Sequence, residues 1–465
     1  MTPDVLALVQ DTIRRHAMLA GGETVLIACS GGSDSTALLY LLSRLGPAWG
    51  LRLHGLHVDH GLREGSDHEA DVAQRLGERL GIPVDAVRVA VSRRGSLEEA
   101  ARTARYAALE AHAERLGAQR IAVGHTADDQ AETVVMRLLE GAGVRGLAAI
   151  PPVRGRIIRP LIAVRRAALV ALLEEAGLDW TEDPTNADPK FVRNRIRHEL
   201  LPMLAAVHDG DLVTALTHVA GRAREVVEAL ERMATLELDR LVRENADALT
   251  LPREPLVALP RPVATEVLRQ AAARLGSRAA LRSWAHRALA RVLAGPPPRR
   301  PVRVGGVAIE VSGSLVRIGR ATSPPLPGRP VPVPGTVALP EVGLCLEARL
   351  VPATGYQVPR EPERVAFDAE RLTGPLVVRG RGRGDRFQPF GSDRERQLKT
   401  LLIDARVPRW ERERVPLVEA AGSIVWVGGL RRGAQAPITA DSRQILELRL
   451  HPMDAPSTGL RGVQP

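Results

Sequence analysis

Three scarcities frame this chain. No apolar run reaches the roughly 18 residues a membrane span needs, so neither a transmembrane helix nor a membrane partner is expected. Cysteine occurs twice, at Cys29 and Cys345. That excludes a disulfide scaffold, a Cys-rich zinc site and a CxxC redox pair, and a reducing cytoplasm is the simplest setting. Lysine also occurs only twice, at Lys190 and Lys399, although Lys and Arg together number 64 against 54 acids. The stretch Met1 to Leu19 carries acids and lacks a continuous apolar core, unlike a secretory signal.

What is present is ordinary globular material, 45% hydrophobic and 25% charged. At about 150 residues per domain, 465 residues imply roughly three domains. The net charge is +10 and the pI near 10.7. Such a balance suits a polyanion. The preference for Arg over Lys, with 42 Gly and 35 Pro, equally fits a skewed coding composition. The distribution of charge has to decide.

The first 200 residues alternate apolar runs with helical patterns. Strands are expected at Val25–Cys29, Leu53–Val58, Val84–Val91 and Ile121–Val123. Helices are expected at Thr36–Leu45, Ser66 to about Leu80, Ser96 to about Leu116 and Asp129–Leu139. Ser66 with Glu69, and Ser96 with Glu99, read as capping boxes. Strands separated by helices imply a doubly wound parallel α/β sheet, with its ligand at the carboxyl ends of the strands. Residues 1–204 are therefore expected as a catalytic domain and 205–322 as a mainly helical one. Residues 323–374 are expected as a Pro-rich linker with a β segment, and 375–452 as a small basic α+β domain. The last dozen residues read as a loose tail.

The strongest local signal is Ser30-Gly31-Gly32-Ser33-Asp34-Ser35, between a strand and a helix. Glycines allow close backbone approach to a phosphate, and the helix start offers free N–H groups. Asp34 tolerates a phosphate neighbour only with a cation between them, which implies Mg²⁺. A lysine-bearing Walker pattern is absent. The alternative is an ordinary Gly/Ser turn capped by Asp34. At the fourth strand end, His125, Asp128 and Asp129 place an imidazole and two carboxylates together. Capping of the following helix explains one carboxylate. Two facing a phosphate loop suit Mg²⁺ or a general base. His125 alone is equally a surface loop histidine. Arg102 and Arg105 share a helix face, where arginines usually form solvated ion pairs. Cys29 reads as a small strand hydrophobe.

The loop resembles the SGGxDS motif of the ATP pyrophosphatase, or PP-loop, superfamily. Members transfer AMP from ATP to an oxygen, release pyrophosphate, and let a nucleophile displace the AMP. Val58-Asp59-His60-Gly61-Leu62-Arg63, Ala101-Arg102-Thr103-Ala104-Arg105-Tyr106 and Gly124 to Thr133 resemble the tRNA-modifying branch. That branch includes tRNA(Ile)-lysidine synthetases and 2-thiocytidine enzymes. The latter use CxxC pairs, which are missing here. Asp183 to Arg197 resembles the D-x-x-N…[YF]-x-R-N-x-x-R signature of lysidine synthetases, and Arg159-Pro160-Leu161 resembles their RPL element. Arg193, Asn194 and Arg197 match position by position. Arg379 to Pro389, Leu398-Lys399 and Arg406-Val407-Pro408 resemble the C-terminal domain of the long bacterial forms. That domain is often lysine-rich where this chain reads Arg396-Gln397-Leu398-Lys399-Thr400. From 375 to 415, eleven Arg/Lys face six acids, which moves the charge question toward RNA.

The resemblance implies an ATP- and Mg²⁺-dependent ligase acting on the CAU-anticodon isoleucine tRNA. The wobble cytosine O2 attacks the α-phosphate, and the ε-amine of free L-lysine then attacks C2 and expels AMP. Ser30, Gly31, Gly32, Ser33, Asp34 and Ser35 would hold pyrophosphate, with Asp34 and Asp129 on Mg²⁺. Arg105 and Arg193 would stabilise the adenylate, and Asp128 or His125 would orient lysine and take its proton. Arg379, Arg381, Arg383, Arg386 and Lys399 would grip tRNA. Phe387 and Phe390 are either base-stacking or core residues. A homodimer is one option the sequence leaves open. The competing readings are a tRNA thiolase, a small-substrate amide synthetase and a non-catalytic RNA-binding protein.

Overall fold

A computed structural model describes residues 4–59, 66–90, 97–181, 190–245, 248–277, 283–293, 296, 298, 300–320 and 324–453. The chain divides into two compact units, 1–229 and 230–465. The first unit opens with helix α1 (Val5–Arg15), followed by β1 (Thr24–Ala28), α2 (Ser33–Trp49), β2 (Arg52–Asp59), α3 (Ser66–Leu80) and β3 (Val84–Arg88). Then come α4 (Leu97–Leu116), β4 (Arg120–Ala122), α5 (Ala127–Leu139), α6 (Val144–Leu147), β5 (Val153–Arg154), β6 (Ile157–Ile158) and α7 (Arg166–Glu175). Helix α8 (Val192–Arg195) passes through a π turn at Ile196–Leu200 into α9 (Leu201–Val207), and α10 (Leu212–Leu241) crosses the unit boundary.

The sheet order is β3-β2-β1-β4-β6-β5, parallel except for the β5–β6 hairpin. It is the doubly wound α/β sheet the sequence predicts. Alternate residues of β1 feed opposite faces. Val25 and Ile27 enter a core with α1, α2, α3 and α7, while Leu26 enters a core with Leu109 and Ala113 of α4. That alternation is the strand period of two. The chain runs outward from β1 through β2 to β3, then returns to β4 on the other side of β1. The cleft at this reversal is where such sheets bind ligands. The loops after β1 and β4 are therefore neighbours.

Helix boundaries differ from the sequence reading at the start of α2. It begins at Ser33 rather than Thr36, so Ser33, Asp34 and Ser35 form its first turn. Ser and Asp are weak helix formers in mid-helix, which hides such a start from periodicity. Ser66, Glu69 and Ser96 lie where side chains are not described, so both expected capping boxes fall outside the described residues, as do His60–Arg63, Asp183–Pro189 and the expected tail at 454–465.

The second unit is less helical than its sequence suggests. Strands β7 (Arg243–Asn245) and β8 (Ala248–Pro252) precede α11 (Arg253–Ala258), α12 (Arg261–Arg274) and α13 (Ser283–Leu293). They join β9 (Val302–Val304), β10 (Val307–Ser312) and β11 (Leu315–Gly319) in a sheet ordered β7-β8-β11-β10-β9. The expected linker also holds strands: β12 (Arg329–Val331), β13 (Gly335–Leu339), β14 (Leu344–Pro352) and β15 (Arg364–Asp368). After it come β16 (Leu376–Arg379), β17 (Arg386–Phe387), β18 (Arg396–Gln397), α14 (Leu398–Asp404), β19 (Leu417–Ala420), β20 (Ser423–Val427), β21 (Arg431–Arg432) and β22 (Gln444–Pro452). Two sheets form, β12-β16-β19-β20-β21 and β13-β14-β22-β15. A division at 374/375 would therefore cut both of them. Neighbouring strands pair as hairpins in β7–β8, β9–β10, β10–β11 and β13–β14, whereas β8–β11, β12–β16 and both partners of β22 join distant segments.

This pairing predicts which fragments fold. Residues 324–453 should melt cooperatively by circular dichroism, because both sheets and their shared core are complete. Residues 375–453 should show no cooperative transition, because β22 loses both neighbours, β14 and β15.

Candidate active site

The loop after β1 turns at Gly31, whose φ of +82° is the left-handed region that favours glycine. The Ser30 N–H and hydroxyl both donate to Ser35 Oγ at 3.1 Å, and that hydroxyl donates to the Gly32 carbonyl at 3.0 Å. Ser35 thus closes the loop on itself. Gly32 precedes α2 without a side-chain cap, so the amides of the first turn remain available to an anion. A Cβ at Gly124 would lie 3.0 Å from the Asp34 carbonyl oxygen, so glycine there lets the end of β4 approach this turn. Cys29 is buried in the strand end, and burial pushes its thiol up to about 12.

Helix α5 begins differently. Thr126 and Asp129 form a reciprocal capping box: Asp129 Oδ2 accepts the Thr126 N–H at 2.8 Å, and Thr126 Oγ1 accepts the Asp129 N–H. One Asp129 oxygen is thereby committed, and Oδ1 turns to cations. It accepts from Arg193 at 2.9 Å and Arg166 at 3.2 Å, with Arg197 at 3.6 Å. One turn further on α5, Glu132 is only 1% exposed. It accepts from Arg193 at 2.6 Å and from Arg197 at 2.6 Å. Arg166 also reaches Asp34 at 3.1 Å. Three carboxylates and three guanidiniums from α2, α5, α7, α8 and the π turn therefore form one network.

Burial works against ionisation of Asp129, but Arg193, Arg166 and the Thr126 amide hold its carboxyl below the usual range. Asp34 goes the other way: burial raises it, Asp129 adds repulsion, and Arg166 opposes only in part. Arg166 and Arg193 are desolvated, yet the acids around them raise both above the ordinary arginine value. Burial pushes His125 down to about 3, against Asp129 and with Arg159, Arg102 and Arg193. Its ring is neutral at physiological pH, and its buried Nδ1 has no hydrogen-bond partner among the described residues.

Of the expected site residues, Asp129 and Arg193 meet directly, and Asp34 joins them through Arg166. Asp128 sits beside them, but its Oδ2 accepts the Arg166 backbone N–H at 2.7 Å, so it anchors the start of α7. Arg105 is exposed on α4, outside the network and with no hydrogen-bond or ion-pair partner among the described residues. The sequence reading gave no role to Glu132 or Arg166, although Glu132 stood in a quoted motif. Spacing three from Asp129 was the available signal. A second feature is cationic: Arg102 and Arg154 lie 5.3 and 5.4 Å over the Tyr106 ring, and Arg159 is buried, donating to the Pro151 carbonyl.

In the second unit, Arg379 pairs with Asp385 at 2.8 Å and Glu419 at 2.7 Å, and Arg386 pairs with Glu395 at 2.5 Å. Arg381, Arg383 and Lys399 have no ion-pair partner among the described residues, and Arg383 and Lys399 are exposed. Phe387 is core, whereas Phe390 is exposed with Arg432 over its ring at 4.5 Å.

Two stability predictions follow from the network's charges. Arg166→Ala leaves buried acids uncompensated and should cost about 3–5 kcal/mol in urea unfolding. Because His125 is depressed from 6.5 to about 3, its neutral form stabilises the fold above 6.5, and that contribution is lost as pH falls toward 3. Asp129 adds a loss below 3.8, while the raised Asp34 contributes in acid and loses that contribution as pH rises through its folded value. His125→Asn should therefore flatten the urea midpoint against pH between 6.5 and about 3; an unchanged slope would exclude the assigned neutral ring.

Comparison with known proteins finds similarity in both units. A PP-loop domain matches residues 6–204, and a TilS substrate C-terminal domain matches residues 376–449. The tRNA(Ile)-lysidine synthase of Symbiobacterium thermophilum is 36% identical over 96% of this chain and 97% of its own. That of Solibacter usitatus is 37% identical over 93% and 99%, and that of Pseudomonas aeruginosa 35% over 88% and 90%. With similarity running through both units, the chain belongs to the tRNA(Ile)-lysidine synthase family.

Proposed function

We propose that this chain uses ATP to ligate free lysine to C2 of the wobble cytidine of the CAU-anticodon isoleucine tRNA. The observation that carries the reading is the uncapped start of α2 beside the Asp34–Asp129–Glu132 acids at the β1/β4 cleft. Family membership supplies the two reaction partners. The cytosine O2 attacks the α-phosphate, and pyrophosphate leaves into the amides and hydroxyls of Ser30–Ser35. Arg193 offsets charge on the pentavalent phosphate, and Arg105, free on α4, meets the adenylate from solvent. The Arg102–Arg154–Arg159 cluster around Tyr106 suits a nucleotide phosphate or an RNA strand.

Asp34 and Asp129 fit Mg²⁺. Both point oxygens at one cation, Arg166, within 3.2 Å, and the raised Asp34 carboxyl reports incomplete compensation there. When bound, the ion neutralises charge on the phosphates. Lysine carries one carboxylate and two amines. The guanidiniums of Arg193 and Arg197 match the carboxylate, and Glu132 and Asp129 match an ammonium. The attacking ε-amine has to be neutral. His125 keeps an unprotonated ring with an unpartnered nitrogen, which suits it to orient the amine by accepting a hydrogen bond, whereas its depressed basicity makes it a weak proton acceptor. Asp128 instead fixes Arg166.

The tRNA grip is assigned to Arg381, Arg383 and Lys399. Arg386 can exchange its exposed Glu395 partner for a phosphate, since such surface pairs are worth little. Arg379, tied to two acids, steadies the loop.

The test incubates the full chain with Mg-ATP, labelled lysine and either CAU-anticodon tRNA. Base-resistant label is expected only on the isoleucine tRNA. Asp34→Ala and Glu132→Gln should each lower the rate by about 10²-fold or more. Pyrophosphate release without label would reject lysine as the nucleophile. Separately, the triple change Arg381→Ala, Arg383→Ala, Lys399→Ala should weaken tRNA binding. It should also reduce the slope of log affinity against log salt by about 2 to 3. An unchanged slope would move the RNA contacts elsewhere.

A further inference from the structure

Away from the nucleotide cleft, three metal-ligating side chains converge on the α4-covered face of the sheet. His54 lies on β2 two residues from Leu56, and Leu56 pairs in register with Asp85 of β3. His112 lies on α4 between Leu109 and Ala113, which pack against that same face. Asp85 Oδ2 is 2.9 Å from His54 Nε2 and 3.0 Å from His112 Nε2. One ligand atom from each residue lies within 4.8 Å of the others.

We propose that His54, Asp85 and His112 form a binding site for a divalent transition ion of the zinc class, with water in the fourth position. Bonds of about 2.0–2.1 Å at tetrahedral angles put ligand atoms roughly 3.3 Å apart, so the existing triad needs only small shifts to accept an ion. Two imidazoles and one carboxylate are borderline donors that suit zinc rather than magnesium.

An independent observation points the same way. His112 is only 5% exposed, and its buried Nε2 lacks hydrogen-bond geometry to any partner among the described residues, although it lies 3.0 Å from the Asp85 oxygen. A pure hydrogen-bond triad would align that nitrogen with the oxygen; an ion between the two needs no such alignment. Arg115 approaches His112 Nδ1 at 2.7 Å. Coordination through Nε2 places the ring proton on Nδ1, so this exposed arginine turns outward when the ion binds. Half-exposed Asp85 faces an open groove of about 580 Å³ that also borders His112 and Arg115, which supplies the entry path. The bound ion would tie edge strand β3 and β2 to α4, the helix that carries Arg102 and Tyr106.

The site stands independently of the lysine reading, and its test needs no tRNA. The full chain, in excess Mg²⁺, is titrated with Co²⁺ and then Zn²⁺. About one Co²⁺ per chain with tetrahedral visible absorption is expected, displaced by Zn²⁺, and Zn²⁺ should raise the thermal midpoint. The double change His54→Ala, His112→Ala should abolish the absorption and the midpoint rise. Binding should weaken in acid, because only the neutral imidazole ligates. Absence of the absorption in the unaltered chain, or equal binding by the double variant, would overturn the site. If the double variant does not fold, Asp85→Asn decides: a loss of about tenfold or more in Co²⁺ affinity supports the site, and unchanged spectrum and affinity reject it.

Discussion

Burial of the Glu132 carboxylate is the constraint on which the cleft depends. A charge with 1% exposure is tolerable only when cations and hydrogen bonds surround it. Arg193 and Arg197 supply both at 2.6 Å, with Arg166 at 3.8 Å. Those arginines come from chain segments 34 to 65 residues later. Pairing them with α5 therefore carries the start of α7 and the turn after α8 to the edge of the cleft. The same guanidiniums then reach Asp129, and Arg166 continues to Asp34. The electrostatics of the site are set by one buried acid and its need for partners.

Two helices begin side by side at the cleft, and they use their N-termini in opposite ways. At α5 the Thr126–Asp129 box takes the Asp129 amide and the Val164 carbonyl takes that of Ala127, so that helix start chiefly offers acid oxygens. At α2 glycine replaces a capping side chain, and the free amides remain for an anion. A phosphate-seeking helix start thus faces a cation-seeking one. Gly124 is what allows the two starts to lie this close, since any side chain there would meet the Asp34 backbone.

Helix α4 covers the other face of the same sheet. Its first half presents Tyr106 with Arg102 and Arg154 around the ring. Its second half places His112 over Asp85 and His54. Whatever fixes α4 against β2 and β3 also fixes that cationic surface, so the two halves of the helix are mechanically linked.

The sequence by itself determined the α/β class, the Ser30–Ser35 turn between strand and helix, and the identity of most acids and cations at the strand ends. These follow from local pattern, because a strand, a glycine turn and a helix start are encoded within a few residues. It also identified Cys29 as a strand hydrophobe, through its place in an apolar run. Only the tertiary structure decided which charges meet. Asp128 and Asp129 are adjacent in sequence, yet one anchors α7 and the other joins the arginine network, because neighbouring helix residues point about 100° apart. Arg166 is unremarkable as text and central in space. Arg379 and Arg381 look equivalent in a basic run, but only Arg379 finds acids across a strand pair. Local pattern indicates a β segment within 323–374, but not that β14 and β15 pair with β22, because pairing between distant segments leaves no local signature.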